Sequence, residues 1–206
     1  GGSVTLGGTL NVIAGPNLAP GTTFTILSKT SAGAVSGTFA GLANNATFAV
    51  GGYIFRISYT GGDGNDVVLT QLGSPLELWR NTNFGSMLNT GNGADLTDPN
   101  GDGEVNLVEF ATGQNPNATT LATTTLVING AVLKFTYTRS KAAVLEDIVF
   151  TVEWSDTLEA GIWSSAGIVN QNPPPVAQNA ETETLAILVP SGNGGKRFVR
   201  LRVVKP

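Results

Sequence analysis

The residues best placed to do chemistry form one run of twelve: Asp98-Pro99-Asn100-Gly101-Asp102-Gly103-Glu104-Val105-Asn106-Leu107-Val108-Glu109. Every position fits the spacing D-x-[DN]-x-[DN]-G-x5-E. Asp98, Asn100 and Asp102 offer side-chain oxygens at alternate positions. Gly103 stands where a sharp turn needs a residue without Cβ. Glu104 offers a backbone carbonyl, Asn106 acts directly or through water, and Glu109 closes the shell with both carboxylate oxygens. Such a set wraps a hard cation, and Ca2+ is the ion that this donor chemistry expects. The plainer reading of the same residues is an Asp/Asn/Gly turn that caps a helix without metal. As helix signals, Asn106 reads as N-cap and Glu109 as N3, with the helix stopped at Gly113.

Charge and composition point to the same run. The 206 residues carry a net charge of −4, only 13% are charged, and there is no His and no Cys. Without them, Ser-His-Asp and Cys-His catalysis, disulfides and Cys-based zinc sites are excluded. Residues 1–72 are neutral, 73–118 carry −5 and 119–206 carry +1. The acidity thus sits in the middle segment, around the loop. A nucleic-acid partner is not favoured by this balance, and no apolar run approaches the roughly 18 residues of a membrane span.

Other candidates carry less. Gly61-Gly62-Asp63-Gly64-Asn65-Asp66-Val67-Val68-Leu69 fits one copy of a calcium nonapeptide that normally works in tandem. Its plainer reading is a Gly-rich turn between strands. Trp154 and Trp163 could form a sugar platform or pack in a core. Glu153 and Asp156 could be imagined as a glycosidase pair, but Glu153 falls on the solvent face of a strand. Lys196, Arg197, Arg200 and Arg202 form a basic stripe that reads as a solvated face. The composition therefore predicts a protein that is not an enzyme.

These residues need elements to position them. Ser74-Pro75-Leu76-Glu77 is a capping-box start for a short helix that carries Trp79 and ends near Asn83. Before it, short strands punctuated by Gly, Asn and Pro are expected at 4–6, 9–13, 22–28, 35–40, 46–50, 53–60 and 66–71. After the loop, Asn129-Gly130 signals a type I′ hairpin. Alternating faces then follow at Leu133/Phe135/Tyr137, Ile148/Phe150/Val152/Trp154, Leu185/Ile187/Val189 and Val199/Leu201/Val203. They predict a small antiparallel β-sandwich, with Gln171-Asn172-Pro173-Pro174-Pro175 as a stiff loop.

The series Gly8-Thr9-Leu10, Gly21-Thr22-Thr23-Phe24-Thr25-Ile26-Leu27, Ser36-Gly37-Thr38-Phe39-Ala40-Gly41-Leu42 and Ile57 through Thr70 resembles the last coils of autotransporter-associated β-strand repeat proteins. These are large secreted or surface proteins of planctomycetes and verrucomicrobia. The resemblance covers about residues 7–72 and implies the closing end of a right-handed parallel β-helix. Leu78-Trp79-Arg80, Asn83-Phe84-Gly85, Asn89-Thr90-Gly91-Asn92 and Asn106 through Pro116 resemble the calcium linker near the C-terminus of many verrucomicrobial surface proteins. The loop is similar to dockerin-like and thrombospondin-type loops, with Asn100 in place of a more frequent Asp. Phe135 through Ser140, Val152 through Asp156, Trp163 and Arg197 through Val203 resemble the terminal β module that follows that linker, for which sorting or anchoring at the envelope is implied by analogy.

Together these features predict a mainly β chain: β-solenoid terminal coils over 1–72, a helical linker with the calcium loop over 73–118, and a β-sandwich over 119–206. The expected function is an extracellular or cell-surface, calcium-stabilised structural or adhesive role. Its expected partners are a cell-surface glycan or further copies joined into an oligomer or fibre through strand edges. The alternative is the non-catalytic end, carbohydrate-binding or sorting, of a secreted β-helical polysaccharide-degrading enzyme. The start at Gly1-Gly2-Ser3, in mid-pattern, reads as a piece of something longer.

Overall fold

The structure, a computed structural model, describes residues 2–159, 161–171, 175–192 and 196–206. It is mainly β, with 36% of residues in strands against 13% in helices, and its sheets are antiparallel and open. The chain divides into two compact units, Gly1–Leu78 and Trp79–Pro206.

In the first unit, β1 (Thr23–Leu27), β2 (Thr47–Val50), β3 (Tyr53–Gly61) and β4 (Asp66–Gly73) form one sheet in the order β1-β4-β3-β2. The alternation in β3 works as expected: Phe55, Ile57 and Tyr59 are buried together with Val67 and Leu69 of β4. A parallel β-helix is not shown. The segments 4–6, 9–13 and 35–40 are not strands, and the parallel arrangement there is one bridge, Thr5 with Ser36. The physical reason lies in the turn at 62–65. It folds β4 straight back onto β3, so the pair with the richest apolar alternation forms a hairpin rather than stacked coils.

That turn is the Gly-rich nonapeptide, and its acid is engaged internally. Asp66 Oδ1 accepts from the Lys29 backbone N–H at 2.8 Å. The buried Lys29 ammonium then donates to the carbonyls of Ser31, Ala32 and Gly33 at 2.7, 3.0 and 2.6 Å. A buried lysine thus ties together three carbonyls of one turn, and Asn65 Nδ2 donates to the Ser31 carbonyl as well, at 3.0 Å.

The helix α1 (Pro75–Phe84) starts on the expected capping box. Glu77 accepts from the Ser74 N–H at 2.8 Å, and Ser74 Oγ accepts from the Glu77 N–H at 3.3 Å. The boundary between the two units falls within this helix.

The second unit holds α2 (Asn106–Thr112), β5 (Thr124–Asn129), β6 (Val132–Ser140), α3 (Lys141–Leu145), β7 (Val149–Ser155), β8 (Val169–Asn170), β9 (Ala177–Gln178), β10 (Thr182–Pro190) and β11 (Phe198–Val204). One sheet runs β5-β6-β10-β8, with β9 also on β10, and β11-β7 form a second sheet. Between them lies a core of Phe135, Tyr137, Val152, Leu185, Ile187 and Val189, with Phe150, Trp154, Val199 and Leu201 packed against it. This is a β-sandwich-like arrangement built from the expected alternating faces.

The hairpin turn differs by one residue from expectation. Asn129 pairs with Val132, so the turn is Gly130-Ala131. Gly130 has φ 62° and Ala131 is not among the positive-φ residues, whereas a type I′ turn needs positive φ at both centres. Of the Pro-rich loop, residues 172–174 lie outside the described residues.

Replacing Lys29 with Met keeps the side-chain length but removes the donor to three carbonyls. We expect Lys29→Met to cost about 1–3 kcal/mol in urea unfolding of the full chain. Amide exchange should accelerate locally over residues 29–33, and an unchanged unfolding midpoint would contradict this role.

Candidate cation site

The twelve-residue loop runs into α2 as the spacing requires. Gly101 and Gly103 take φ 73° and 97°, where a side chain would be strained, and Gly113 closes α2 at φ 78°. Asp98 organises the turn. Its Oδ1 accepts from the Gly101 and Asp102 N–H groups at 2.8 and 3.3 Å, and its Oδ2 accepts from the Gly103 N–H at 2.9 Å. Asp102 Oδ1 accepts from the Glu104 N–H at 2.9 Å.

Glu109 is fully buried in the first turn of α2. Its Oε1 accepts from Asn100 Nδ2 at 3.0 Å, while its Oε2 is buried without a hydrogen-bond partner. The same Asn100 nitrogen also reaches Asp102 Oδ2 at 3.1 Å and the Ala118 carbonyl at 2.9 Å. Two amide hydrogens are thus set among three oxygens from three parts of the chain. Burial pushes the Glu109 carboxyl up to about 7. The nearby charges of Asp102, Asp98 and Glu104 add to the rise and the Asn100 hydrogen bond opposes it. Glu104 is also raised, by burial first and then by Asp102, against the bond it accepts from the Ala122 N–H at 2.9 Å.

Asp98, Asn100, Asp102, Glu104 and Glu109 are therefore drawn into one network of bonds and mutual repulsion. Asn106 plays another part. It is the first residue of α2, with Val105 in the N-cap position, and its side chain faces the preceding loop. Its Nδ2 donates to the carbonyls of Asn92 and Ala94 at 2.6 and 2.8 Å and to Thr97 Oγ1 at 2.9 Å. Its Oδ1 is buried and unpartnered. Sequence reading missed the Ala118 carbonyl, since a backbone oxygen beyond the motif leaves no mark in residue type.

The surroundings hold the loop in place. Arg80 of α1 is buried against Asp95, and Asp95 exchanges two hydrogen bonds with Asn89. Trp79 packs edge-on against Phe84 and Phe110, each at 5.7 Å between ring centres. The chain before the loop is thus fixed to α1 and to α2.

Among the described residues, no group of three or more acidic, His or Cys side chains could hold a metal as it stands. A fit rests instead on mixed oxygens: the Asp102 and Glu109 carboxylates with the Asn100 and Ala118 carbonyls. The unpartnered Glu109 oxygen and the crowding around Asn100 Nδ2 agree with it. Rotating the Asn100 amide would present Oδ1 to the same oxygens, a change that only a cation would favour.

The other candidate residues are committed elsewhere. The Arg197 guanidinium lies 3.6 Å over the Trp154 ring and pairs with Asp156, while Arg200 lies 4.1 Å over Trp163 and pairs with Glu153. Both tryptophans are therefore capped by cations rather than presented as a platform. Glu153 and Asp156 each face their own arginine. No family model, curated protein or solved structure matches this chain.

Two predictions follow from the geometry. Asn106→Asp sets a carboxylate against three acceptors. It should lower stability by about 1–3 kcal/mol in urea unfolding, with or without calcium. A variant that binds calcium more tightly at unchanged stability would instead make residue 106 a ligand. The second concerns pH. The folded Glu109 pKa lies above the ordinary 4.5, so the metal-free folded state binds more protons than the unfolded chain between about 4.5 and 7. Its contribution is fully present below that window and is lost as pH rises through it. Chelated protein should melt at a lower temperature at pH 8 than at pH 5, and Glu109→Gln should flatten the difference. A melting temperature that rises over this range would contradict the assignment.

Proposed function

We propose that this chain is a non-catalytic structural segment of an extracellular or cell-surface protein, in which one calcium ion orders the loop at 98–109. The observation that carries this reading is Glu109, a buried carboxylate with one unpartnered oxygen inside a ring of further acids. Asn100, Asp102 and Glu109, with the Ala118 carbonyl, would hold the ion, while Asp98 winds the turn around it. When bound, it supplies positive charge to oxygens that otherwise repel one another. Asn106 would brace the loop from behind.

The consequence is mechanical. Asn100 and Glu104 already bond to Ala118 and Ala122, on the stretch that leads into β5. Asn106 bonds to the 92–97 stretch that leads into the loop. A cation that tightens the loop therefore tightens both neighbours, which suits a segment built to hold its form. The low charge, the β-rich fold and the resemblance to surface-protein linkers support the extracellular setting, and an adhesive or fibre-forming role belongs to the same proposal. The solenoid reading of the first unit rests on its resemblance and on the parallel bridge between Thr5 and Ser36.

Thermal melting tests it. Millimolar calcium should raise the melting temperature of chelated protein by several degrees, as ligand linkage requires. It should leave Glu109→Gln unchanged. Equal melting of the wild-type chain with and without calcium would overturn the proposal.

A further inference from the structure

Beside the loop lies a polar cleft of about 450 Å3, within the range of small-ligand pockets. Its polar side chains are the amides of Asn83, Asn92, Asn100 and Asn117, and its apolar surface includes Phe84 and Pro99, with Pro116 buried beneath. Among the described residues, no acid or base lines it. The carboxylates next door are turned into the loop network, with Glu109 fully buried.

The amides have bonding capacity to spare. The Asn92 side chain makes no hydrogen bond among the described residues. Asn117 Nδ2 reaches Asn83 Oδ1 at 3.4 Å, close to the limit of such a bond, and among the described residues that is the amide group's one hydrogen bond. Asn83 Nδ2 spends one donor on the Trp79 carbonyl at 2.9 Å. Asn100 differs, since both ends of its amide are engaged in the loop, so it serves as wall rather than contact. Three amides with unspent donors and acceptors thus surround a partly apolar surface.

We infer that this cleft binds a neutral polyhydroxylated ligand of the oligosaccharide class. Each amide offers a donor and an acceptor side by side, which matches the paired donor and acceptor character of adjacent hydroxyls. The Phe84 and Pro99 surfaces suit the C–H faces of a sugar ring. A charged ligand would find no counter-ion among these side chains and would lose its hydration without compensation. The inference stands on the cleft's own side chains and does not rest on the cation reading.

The test is a titration of the full chain, in calcium and separately in chelator. The probes are neutral hexasaccharides of β-linked glucose, mannose and galactose, with a galacturonic acid hexamer as the charged control. We expect saturable shifts in the side-chain amide resonances of Asn83, Asn92 and Asn117 for at least one neutral hexamer. The double variant Asn92→Ala/Asn117→Ala alters two exposed side chains and should melt as the wild type does. Its affinity should fall about five- to tenfold. Saturable, asparagine-dependent binding in either buffer supports the inference. No saturable shift in either buffer, unchanged affinity in the double variant, or equal binding of the charged hexamer would overturn it.

Discussion

A carboxylate buried away from water must find protons, hydrogen bonds or a cation, and Glu109 has half of what it needs. One oxygen accepts from Asn100; the other is enclosed without a partner. Taking an ionised carboxylate out of water costs several kcal/mol even after relaxation. The rest of the second unit's architecture around residues 79–122 is consistent with meeting that cost. Asp98 winds the loop tightly, Asn100 bridges three oxygens, and Trp79 and Phe110 pack where α1 and α2 meet. Protonation relieves the strain at low pH. A cation would relieve it at neutral pH.

The loop's effect on the fold comes through short hydrogen bonds to its flanks rather than through a large buried surface. Asn106 holds the approach, and Asn100 and Glu104 hold the exit. The sandwich beyond is stabilised differently, by an aromatic and aliphatic core. On its smaller sheet, Arg197 and Arg200 cover Trp154 and Trp163 while neutralising Asp156 and Glu153. Arg197 and Arg200 each do two jobs there, as ion-pair partner and as cover for a ring.

Period and punctuation made much of this legible. The alternating faces of β3, β6, β7, β10 and β11, the capping box at Ser74 and the stop at Gly113 were all readable because each depends on neighbours in sequence. The same holds for the loop, whose turn residues dictate their own backbone. What depends on distant pairing was not readable. Nothing in residues 4–13 and 35–40 says that they form one bridge rather than strands. The side on which Asn106 lies depends on the carbonyls of Asn92 and Ala94. The Ala118 carbonyl became visible only when the chain after α2 was seen to return to the loop. The turn at Gly130-Ala131 shows the limit of even a strong local signal, since cross-strand pairing moved it by one residue.

The central claim is that the Glu109 network is completed by one cation. Calorimetric titration of the chelated full chain with calcium chloride at pH 7.5 tests it most directly. The account predicts a saturable heat with one ion per chain, absent in Glu109→Gln. No saturable heat in the wild-type chain, or the same isotherm in Glu109→Gln, would contradict it.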